Sequence, residues 1–570
     1  MVLTDKTPLA TPYFFEDLSR SGQSPALIDA RTGQITDYVS LALAVDDRKR
    51  VLRERFQGLR PLVFIEARND PAFFVDYLAC LQLGCVLHLV ESLNDAKTRE
   101  LVGHYRPNLL LRGGEADDHL NDRPIDMHPD LTLLLSTSGS TGSPKFVKLS
   151  AASLEANARS IAHYLRLNSS ERAFHHLKAF YSYGLSVIHS HLAVGASLVL
   201  TDASVNETRF WSEFSASDAT SFAGVPYTFE TLKQMDFAPE AYPSLRYATQ
   251  AGGRLEATLV KLFAQRFNRA GRAFYVMYGQ TEAAPRMSYL PAELAESHPS
   301  SIGLAIPGGR LSLIDEEGRD IDEPDRAGEL VYEGPNIMMG YAETPQDLSR
   351  DDTPLRLITG DTAIRDSLGL FSIVGRSSRF VKPFGTRLNL DEVQTWLKSE
   401  YRDVFAVAGD DRLVVIALTR GGEMGAKDIE RVAARFSLPT SLFVTRAFET
   451  VPTLPNGKLD YASILIVARL ISEPPRGGFF ERLMGTVKDL LGLSSENFNS
   501  VSEMLQSKLS QHALSPHLRF AEIGIDSLAY VGVAIEIESL FDGAPPPNWQ
   551  GMTIDELEKA HLAHKARVGF

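Results

Sequence analysis

Between about residues 60 and 340 the chain repeats one pattern: a short apolar run, a polar turn, then a longer stretch with helical spacing of its apolar residues. PLVFIEA, LTLLLS, ASLVLTD and RAFYVMYG are the runs of strand length; ASLEANARSIAHYLRL and ATLVKLFAQRF carry the helical spacing. Strands that alternate with helices predict parallel sheets covered by helices, an α/β layering. The strand-like FSIVGR closes this region, and a boundary is expected near 375 to 380.

Beyond that boundary DVFAVAGDDRLVVIALT followed by the helical AKDIERVAARF predicts a small α+β lobe, residues 376 to 470. The linker follows at 471 to 478, where SEPPRGG combines Pro-Pro and Gly-Gly with polar neighbours that leave nothing to bury. Residues 479 to 570 differ in kind. FFERLMGTVKDLLG, VSEMLQSKLSQH, SLAYVGVAIEIESLF and TIDELEKAHLAH are all helical in pattern, and a small all-α bundle is expected there. No internal repeat or low-complexity tract interrupts these regions.

Composition narrows the picture. The 570 residues are 44% hydrophobic and 23% charged, which is typical of a folded chain of several domains. The net charge of −14 is spread without a basic block, so a nucleic-acid surface is not expected. The only cysteines, Cys80 and Cys85, sit in the apolar stretch DYLACLQLGCVLHL and read as small core hydrophobes. No run is long enough to span a membrane, and no cationic segment followed by an apolar run opens the chain. A cytoplasmic location is the expectation.

Chemistry enters at TSGSTGSPK, residues 137 to 145, directly after LTLLLS. Glycine allows backbone N–H groups to converge on phosphate oxygens, Ser and Thr hydroxyls add donors, and Lys145 supplies charge. The stretch lacks the G-x-x-x-x-G-K-[ST] spacing, and alone it also fits a linker. Four further stretches accompany it: YGQTEAAPR with Thr281 and Glu282, ITGDTAIRDSLGLFSIVGR with Asp361 and Arg376, RFVKPFGTRLN with Lys382 and Gly385, and TLPNGKLDY with Lys458.

In this order and at these spacings the stretches resemble the adenylate-forming superfamily, which includes acyl-CoA synthetases and the adenylation domains of nonribosomal peptide synthetases. The resemblance runs from roughly residue 10 to 470 and implies an adenylating domain over 1 to 375 with a mobile lobe behind it. It also implies that a carboxylic acid attacks the α-phosphate of ATP, and that a thiol then captures the acyl-adenylate. By that resemblance Thr137, Ser138, Gly139, Ser140, Thr141, Gly142 and Lys145 hold the β- and γ-phosphates. Thr281 bonds the α-phosphate and Glu282 ligates Mg²⁺, which prefers oxygen ligands. Tyr278 packs on adenine beside Gly252 and Gly253, while Asp361 and Arg376 hold the ribose.

Lys458 bridges the carboxylate and the α-phosphate, and Lys382 and Gly385 face the site once the lobe has rotated for thiol entry. Three positions depart from the common pattern: Ser378 at the hinge, Gln394 where a Glu is common, and Tyr181 where many relatives carry His. The acid pocket implied by the resemblance comprises Tyr181, Ser182, Tyr183, Ser186, Thr249, Ala251, Met277, Pro285 and Arg286. Amino-acid-activating relatives place an aspartate where this chain has Ser182. An ammonium buried there would lack a counter-charge, which argues for a non-amino acid, aryl or short acyl. Arg286 fits either an inward role, pairing a distal oxygen or second carboxylate of the acid, or an outward surface position.

The stretch FAEIGIDSLAYVGVAIEIE resembles the attachment motif of acyl and peptidyl carrier proteins, with 4′-phosphopantetheine carried covalently on Ser527. Ser527 opens an amphipathic helix, a position that favours a phosphodiester. The expected partners are therefore the acid, a phosphopantetheinyl transferase and acyl-accepting enzymes that dock on the carrier. Three functions stay open at this point: an enzyme that loads its own carrier, a CoA ligase whose carrier serves another enzyme, and a non-catalytic carrier scaffold.

Overall fold

A computed structural model describes residues 13–56, 58–113, 118–136, 145–376, 379–381, 388–410, 412–436, 438–448, 450–453, 459–472, 500–508, 517, 533, 536–537, 540–541, 546 and 552–568. The described residues fall into two compact units, one up to 376 and one from 379 onward.

The first unit is built on two large sheets. One has nine strands, of which six run parallel in the order Ala273–Gly279, Tyr247–Gln250, Ser221–Gly224, Arg172–His175, Ser197–Leu200 and Pro25–Asp29. Antiparallel strands close it at both edges, Arg286–Leu290 and then Leu304–Ala305 on one side and Ile35–Asp37 on the other. The second has seven strands, with Leu131–Ser136, Val86–Val90, Leu62–Glu66 and Leu109–Leu111 parallel at its centre. The four apolar runs singled out in the sequence are all strands, and both long helical patterns are helices, Ala151–Tyr164 and Ala257–Arg269.

The absence of alternation in those runs has a direct cause: both faces of each strand are buried. Val63 and Ile65 join a core shared by the two sheets, whereas Leu62 and Phe64 face the other way, with Val86 and Phe146. Leu198 and Leu200 join the shared core, while Val199 packs with Phe174, Phe210 and Phe214 on the opposite face. The shared core is filled by residues of helices Tyr38–Phe56, Pro71–Gln82, Ala151–Tyr164 and Ser182–Ala193. Helix Ala151–Tyr164 starts at a reciprocal cap, with Ser153 N donating to Ser150 Oγ at 3.1 Å and Ser150 N to Ser153 Oγ at 3.2 Å. Such a cap contributes about 1 kcal/mol.

One part of the first unit departs from parallel layering. Strands Arg310–Ile314, Gly328–Glu333, Leu357–Arg365 and Phe371–Arg376 form an antiparallel sheet. No α-helix lies between these strands to make a parallel crossover, and turns such as DEEGRD return the chain as hairpins.

The second unit contains the small lobe. Strands Val404–Gly409 and Val414–Leu418 pair antiparallel, and Phe443–Ala447 joins them in parallel. Val407, Val414 and Ile416 pack on one face with Val393 and Leu397 of helix Leu390–Glu400, while Phe405, Val415 and Ala417 pack on the other with Ile464, Val467 and Ala468. Gln394 accepts from Val407 N at 2.8 Å through its amide oxygen, a bond that a glutamate oxygen would also make. Further along, helices Val501–Lys508 and Ile554–Val568 bring Val501, Met504 and Leu505 together with Val533, Ile537, Phe541, Ile554 and Leu557. Among the described residues no helix is long and apolar enough to cross a membrane.

Candidate active site

Ligands of open α/β sheets sit beyond the carboxyl ends of parallel strands. Three of the singled-out segments lie there. Strand Tyr247–Gln250 runs into Ala251, Gly252 and Gly253; strand Ala273–Gly279 runs into the turn with Thr281 and Glu282; helix Ser182–Ala193 begins shortly after strand Arg172–His175.

The turn after Gly279 is held tightly. It folds back so closely that a side chain at Gly279 would meet Pro285 O at 2.0 Å, and Gln280 N donates to Pro285 O at 2.9 Å. Two buried asparagines clamp it. Asn157 Nδ2 donates to Arg286 O at 3.0 Å and its Oδ1 accepts from Arg286 N at 3.3 Å; Asn336 Nδ2 donates to Arg286 O at 2.9 Å and also reaches Ala283 O. Tyr332 fixes Asn336 in turn, donating to its Oδ1 at 2.7 Å.

On one side of the turn Tyr278 donates its hydroxyl to Asp361, whose side chain is 2% exposed. Asp361 lies directly opposite Arg376 in the antiparallel sheet. Gly252 has a positive φ of 84°, and a side chain there would meet the Tyr181 hydroxyl at 2.6 Å. The backbone thus passes beside Tyr181 with no room for a larger residue. Burial pushes the Tyr181 phenol up to about 12, with the Arg286 charge acting in the opposite direction.

On the other side Tyr341 donates to Glu282 Oε1 at 3.0 Å, and Lys145 Nζ lies 3.4 Å from the Tyr341 ring centre and 3.8 Å from Glu343 Oε1. Burial first, and then the Glu282 charge, raise the Tyr341 phenol, so it stays a donor. Glu282 fits a hard divalent cation: it is a single carboxylate with an oxygen partner. Among the described residues no cluster of three His, Cys, Asp or Glu surrounds it. Such an arrangement leaves most ligand positions to phosphate and water, as Mg²⁺ prefers.

Helix Ser182–Ala193 links the turn to a cavity. At its first residue Ser182 Oγ lies 3.2 Å from Thr281 Oγ1, and one turn later Ser186 Oγ accepts from Arg286 Nη2 at 3.1 Å. The Arg286 guanidinium also stacks 4.7 Å from the Tyr183 ring centre, and Tyr183 donates to Thr249 O at 2.9 Å. Of the expected pocket residues, Tyr183, Ser186, Thr249, Met277 and Arg286 line the cavity; Tyr181, Ser182, Ala251 and Pro285 are not among its lining.

Comparison with known proteins agrees with this geometry. The AMP-binding enzyme family matches residues 95–342. Residues 95–342 are thus similar to the AMP-binding region of adenylate-forming enzymes. It is 27% identical over 408 residues to an oxalate–CoA ligase of Arabidopsis thaliana, covering 67% of this chain and 77% of the relative. It is equally similar, 27% over 476 residues, to a D-alanine–D-alanyl carrier protein ligase of Staphylococcus aureus, covering 75% of this chain and 94% of the relative. In fold it resembles the O-succinylbenzoate coenzyme A synthetase MenE from Bacillus subtilis in complex with AMP. That match has a TM-score of 0.66 at 20% identity and covers 79% of this chain and 97% of the other. ATP-bound MatB from Rhodopseudomonas palustris matches with a TM-score of 0.67 at 19% identity, covering 80% of this chain and all of the other.

Several residues expected in the site lie outside the described residues: Thr137, Ser138, Gly139, Ser140, Thr141, Gly142, Lys382, Gly385, Lys458 and Ser527, with the hinge position Ser378. Arg376 is described through its backbone pairing alone. Other residues of the enzyme were not legible as site residues. Asn157 and Asn336 hold the turn, and Ser190, His191, Ser221 and Tyr247 complete the cavity wall. Ser190 had one available signal, its helical i+4 spacing from Ser186. The others come from separate strands and helices, and no local pattern groups them.

Proposed function

We propose that this protein activates a non-amino carboxylic acid, aryl or short acyl, as its AMP ester with ATP and Mg²⁺, and transfers the acyl group to a phosphopantetheine thiol on its own Ser527. The observation that supports this most is the turn clamped by Asn157 and Asn336. It carries Thr281 toward Ser182, Glu282 toward Tyr341 and Arg286 toward Ser186, so one rigid segment touches the regions assigned to phosphate, cation and acid.

In the first step a carboxylate oxygen attacks the α-phosphorus and pyrophosphate leaves. Thr281 donates to the α-phosphate, Lys145 offsets charge on the leaving phosphates, and Lys458 stabilises charge where oxygen meets phosphorus. One well-placed donor of that kind contributes about 10²- to 10³-fold. Tyr278 and Asp361 position the nucleoside, the carboxylate accepting from ribose hydroxyls. Glu282 holds Mg²⁺, which draws charge from the phosphates.

In the second step the thiol sulfur attacks the acyl carbon, AMP leaves and the thiol proton passes to solvent. The lobe carrying Lys382 and Gly385 rotates between the steps. Ser182 supports a non-amino acid, because the hydroxyl beside Thr281 offers no counter-charge to an ammonium. A tethered carrier raises the local thiol concentration to roughly millimolar.

A CoA thioester as product is the second reading, favoured by similarity to an oxalate–CoA ligase. The D-alanyl carrier protein ligase favours the carrier. One experiment separates them. The protein is converted to its holo form by a phosphopantetheinyl transferase, mixed with ATP, Mg²⁺ and an acid library, and weighed intact, with CoA thioesters assayed in parallel. An acyl adduct that disappears in Ser527→Ala supports self-loading. CoA thioester without adduct supports the second reading, and failure of every acid to drive ATP–pyrophosphate exchange supports an inactive scaffold.

A further inference from the structure

Arg286 is the anomaly of the acid cavity. It is 2% exposed, its Nε has no hydrogen-bond partner, and among the described residues no carboxylate lies within ion-pair distance of it. A buried guanidinium left without an anion costs several kcal/mol, and neutral partners such as Ser186 and the Tyr183 ring offset only part of that. His191 does not add to the charge. Its Nδ1 lies 2.8 Å from Val187 O and its Nε2 3.3 Å from the Tyr247 hydroxyl, and burial lowers it to about 4. The lining therefore carries one fixed positive charge among hydroxyls and apolar side chains.

Ser182 lies outside the cavity wall beside Thr281, and Ser186 stands in that wall. They are one helical turn apart on the same face, roughly 6 Å along the axis. Thr281 sits at the first and Arg286 at the second.

We propose that the acid carries a second anionic group, received by Arg286 and Ser186, and that the substrate is a short dicarboxylic acid with its carboxylates roughly 6 Å apart. The inference rests on acid activation at the Ser182 end. The second carboxylate accepts from Nε of Arg286 and, once the Ser186 hydroxyl turns from Tyr183 O, to which it donates at 2.8 Å, from that hydroxyl as well, supplying the missing partner and neutralising the guanidinium. The cavity, ≈ 20 Å³, has room for little more than one water-sized group, such as the end of a carboxylate, and none for a long chain. A single negative charge is thus selected at the far end, while the near carboxylate remains free to react.

The test compares acids that differ only at the far end. Wild-type protein is assayed for ATP–pyrophosphate exchange with glutarate, adipate and benzene-1,3-dicarboxylate, with their monomethyl esters, and with hexanoate. At least one diacid is expected to exceed its ester in kcat/KM by about 10²-fold or more, because the ester leaves Arg286 unpaired. Arg286→Gln is expected to remove that preference, raising KM for the diacid to that of its ester measured in the same variant. Esters and hexanoate that match every diacid in wild-type protein overturn the inference and leave acid activation standing. If no acid drives exchange, thermal shift decides: diacid stabilisation that Arg286→Gln abolishes retains the anion site and removes the activation reading, and no stabilisation removes both.

Discussion

The two ends of helix Ser182–Ala193 make an instructive pair. At the first residue a serine hydroxyl meets the Thr281 hydroxyl, and neither side chain is charged. One turn later a serine hydroxyl meets a guanidinium buried among tyrosines. The same residue type thus faces two environments, and the hairpin on the facing strand sets the difference by delivering Thr281 to one end and Arg286 to the other. Ser182 and Thr281 bring no charge of their own to the near end, where Lys458 is proposed to bridge carboxylate and phosphate. The far end is cationic, and on the proposal above it is this charge that selects the acid.

The largest effect is expected from breaking the near end alone. Lys458→Ala is expected to lower acyl-adenylate synthesis about 10²- to 10³-fold and to leave the KM for the acid nearly unchanged, read from kcat and KM in pyrophosphate exchange. A lowered kcat with the far-end preference intact keeps the two ends separate; equal losses in both parameters merge them. Ser182→Asp sharpens the contrast by placing a carboxylate beside Thr281. Activation of non-amino acids is expected to fall about 10-fold or more through like-charge repulsion, with α-amino acids gaining relative to them in the same assay.

Smaller effects come from the clamp that serves both ends. Asn157→Ala or Asn336→Ala frees backbone carbonyls of the turn inside the core, at a cost of about 1 to 3 kcal/mol each in denaturant unfolding. Both ends lose activity together in these variants, unlike the changes above. The effect on catalysis is smallest for pH, which acts on stability instead. Burial lowers His175 and His189 to about 3 and His176 and His191 to about 4, so all four are neutral in the folded protein at pH 6. Unfolded histidine binds a proton near 6.5, so between about 6.5 and 4 the unfolded chain holds more protons and stability falls as pH falls. The slope approaches about 1.4 kcal/mol per pH unit for each histidine, measured as the unfolding midpoint across that window. His189→Asn is expected to flatten it by one histidine's share.

How much of this was legible in the sequence follows from how far each signal is local. Strands such as Leu62–Glu66 and Leu131–Ser136 were readable because burial on both faces writes an unbroken apolar run. The antiparallel sheet from Arg310 to Arg376 was not readable as such within the α/β region, because its short strands and turns carry no helix to mark the crossover. Thr281, Glu282, Asp361 and Lys145 stand in motifs with fixed spacing. Asn157 reads as one more polar residue on an amphipathic helix, and only the folded turn shows that it binds Arg286 and not water. The orientation of Arg286 was open for the same reason: a charge looks alike inward or outward until the hairpin register is known. The register shift at Tyr278 and Gly279 sets Arg286 opposite Gly279, and the side chain lies in the cavity wall.

The most direct test of the whole account is a product analysis of one quenched turnover. Full-length protein is mixed with ATP, Mg²⁺ and the preferred acid, stopped before thiol transfer, and its nucleotides are weighed. The account predicts one AMP ester of that acid and one pyrophosphate per site, with neither formed when the acid is left out. ADP and inorganic phosphate as the products, or AMP released equally without acid, would contradict it.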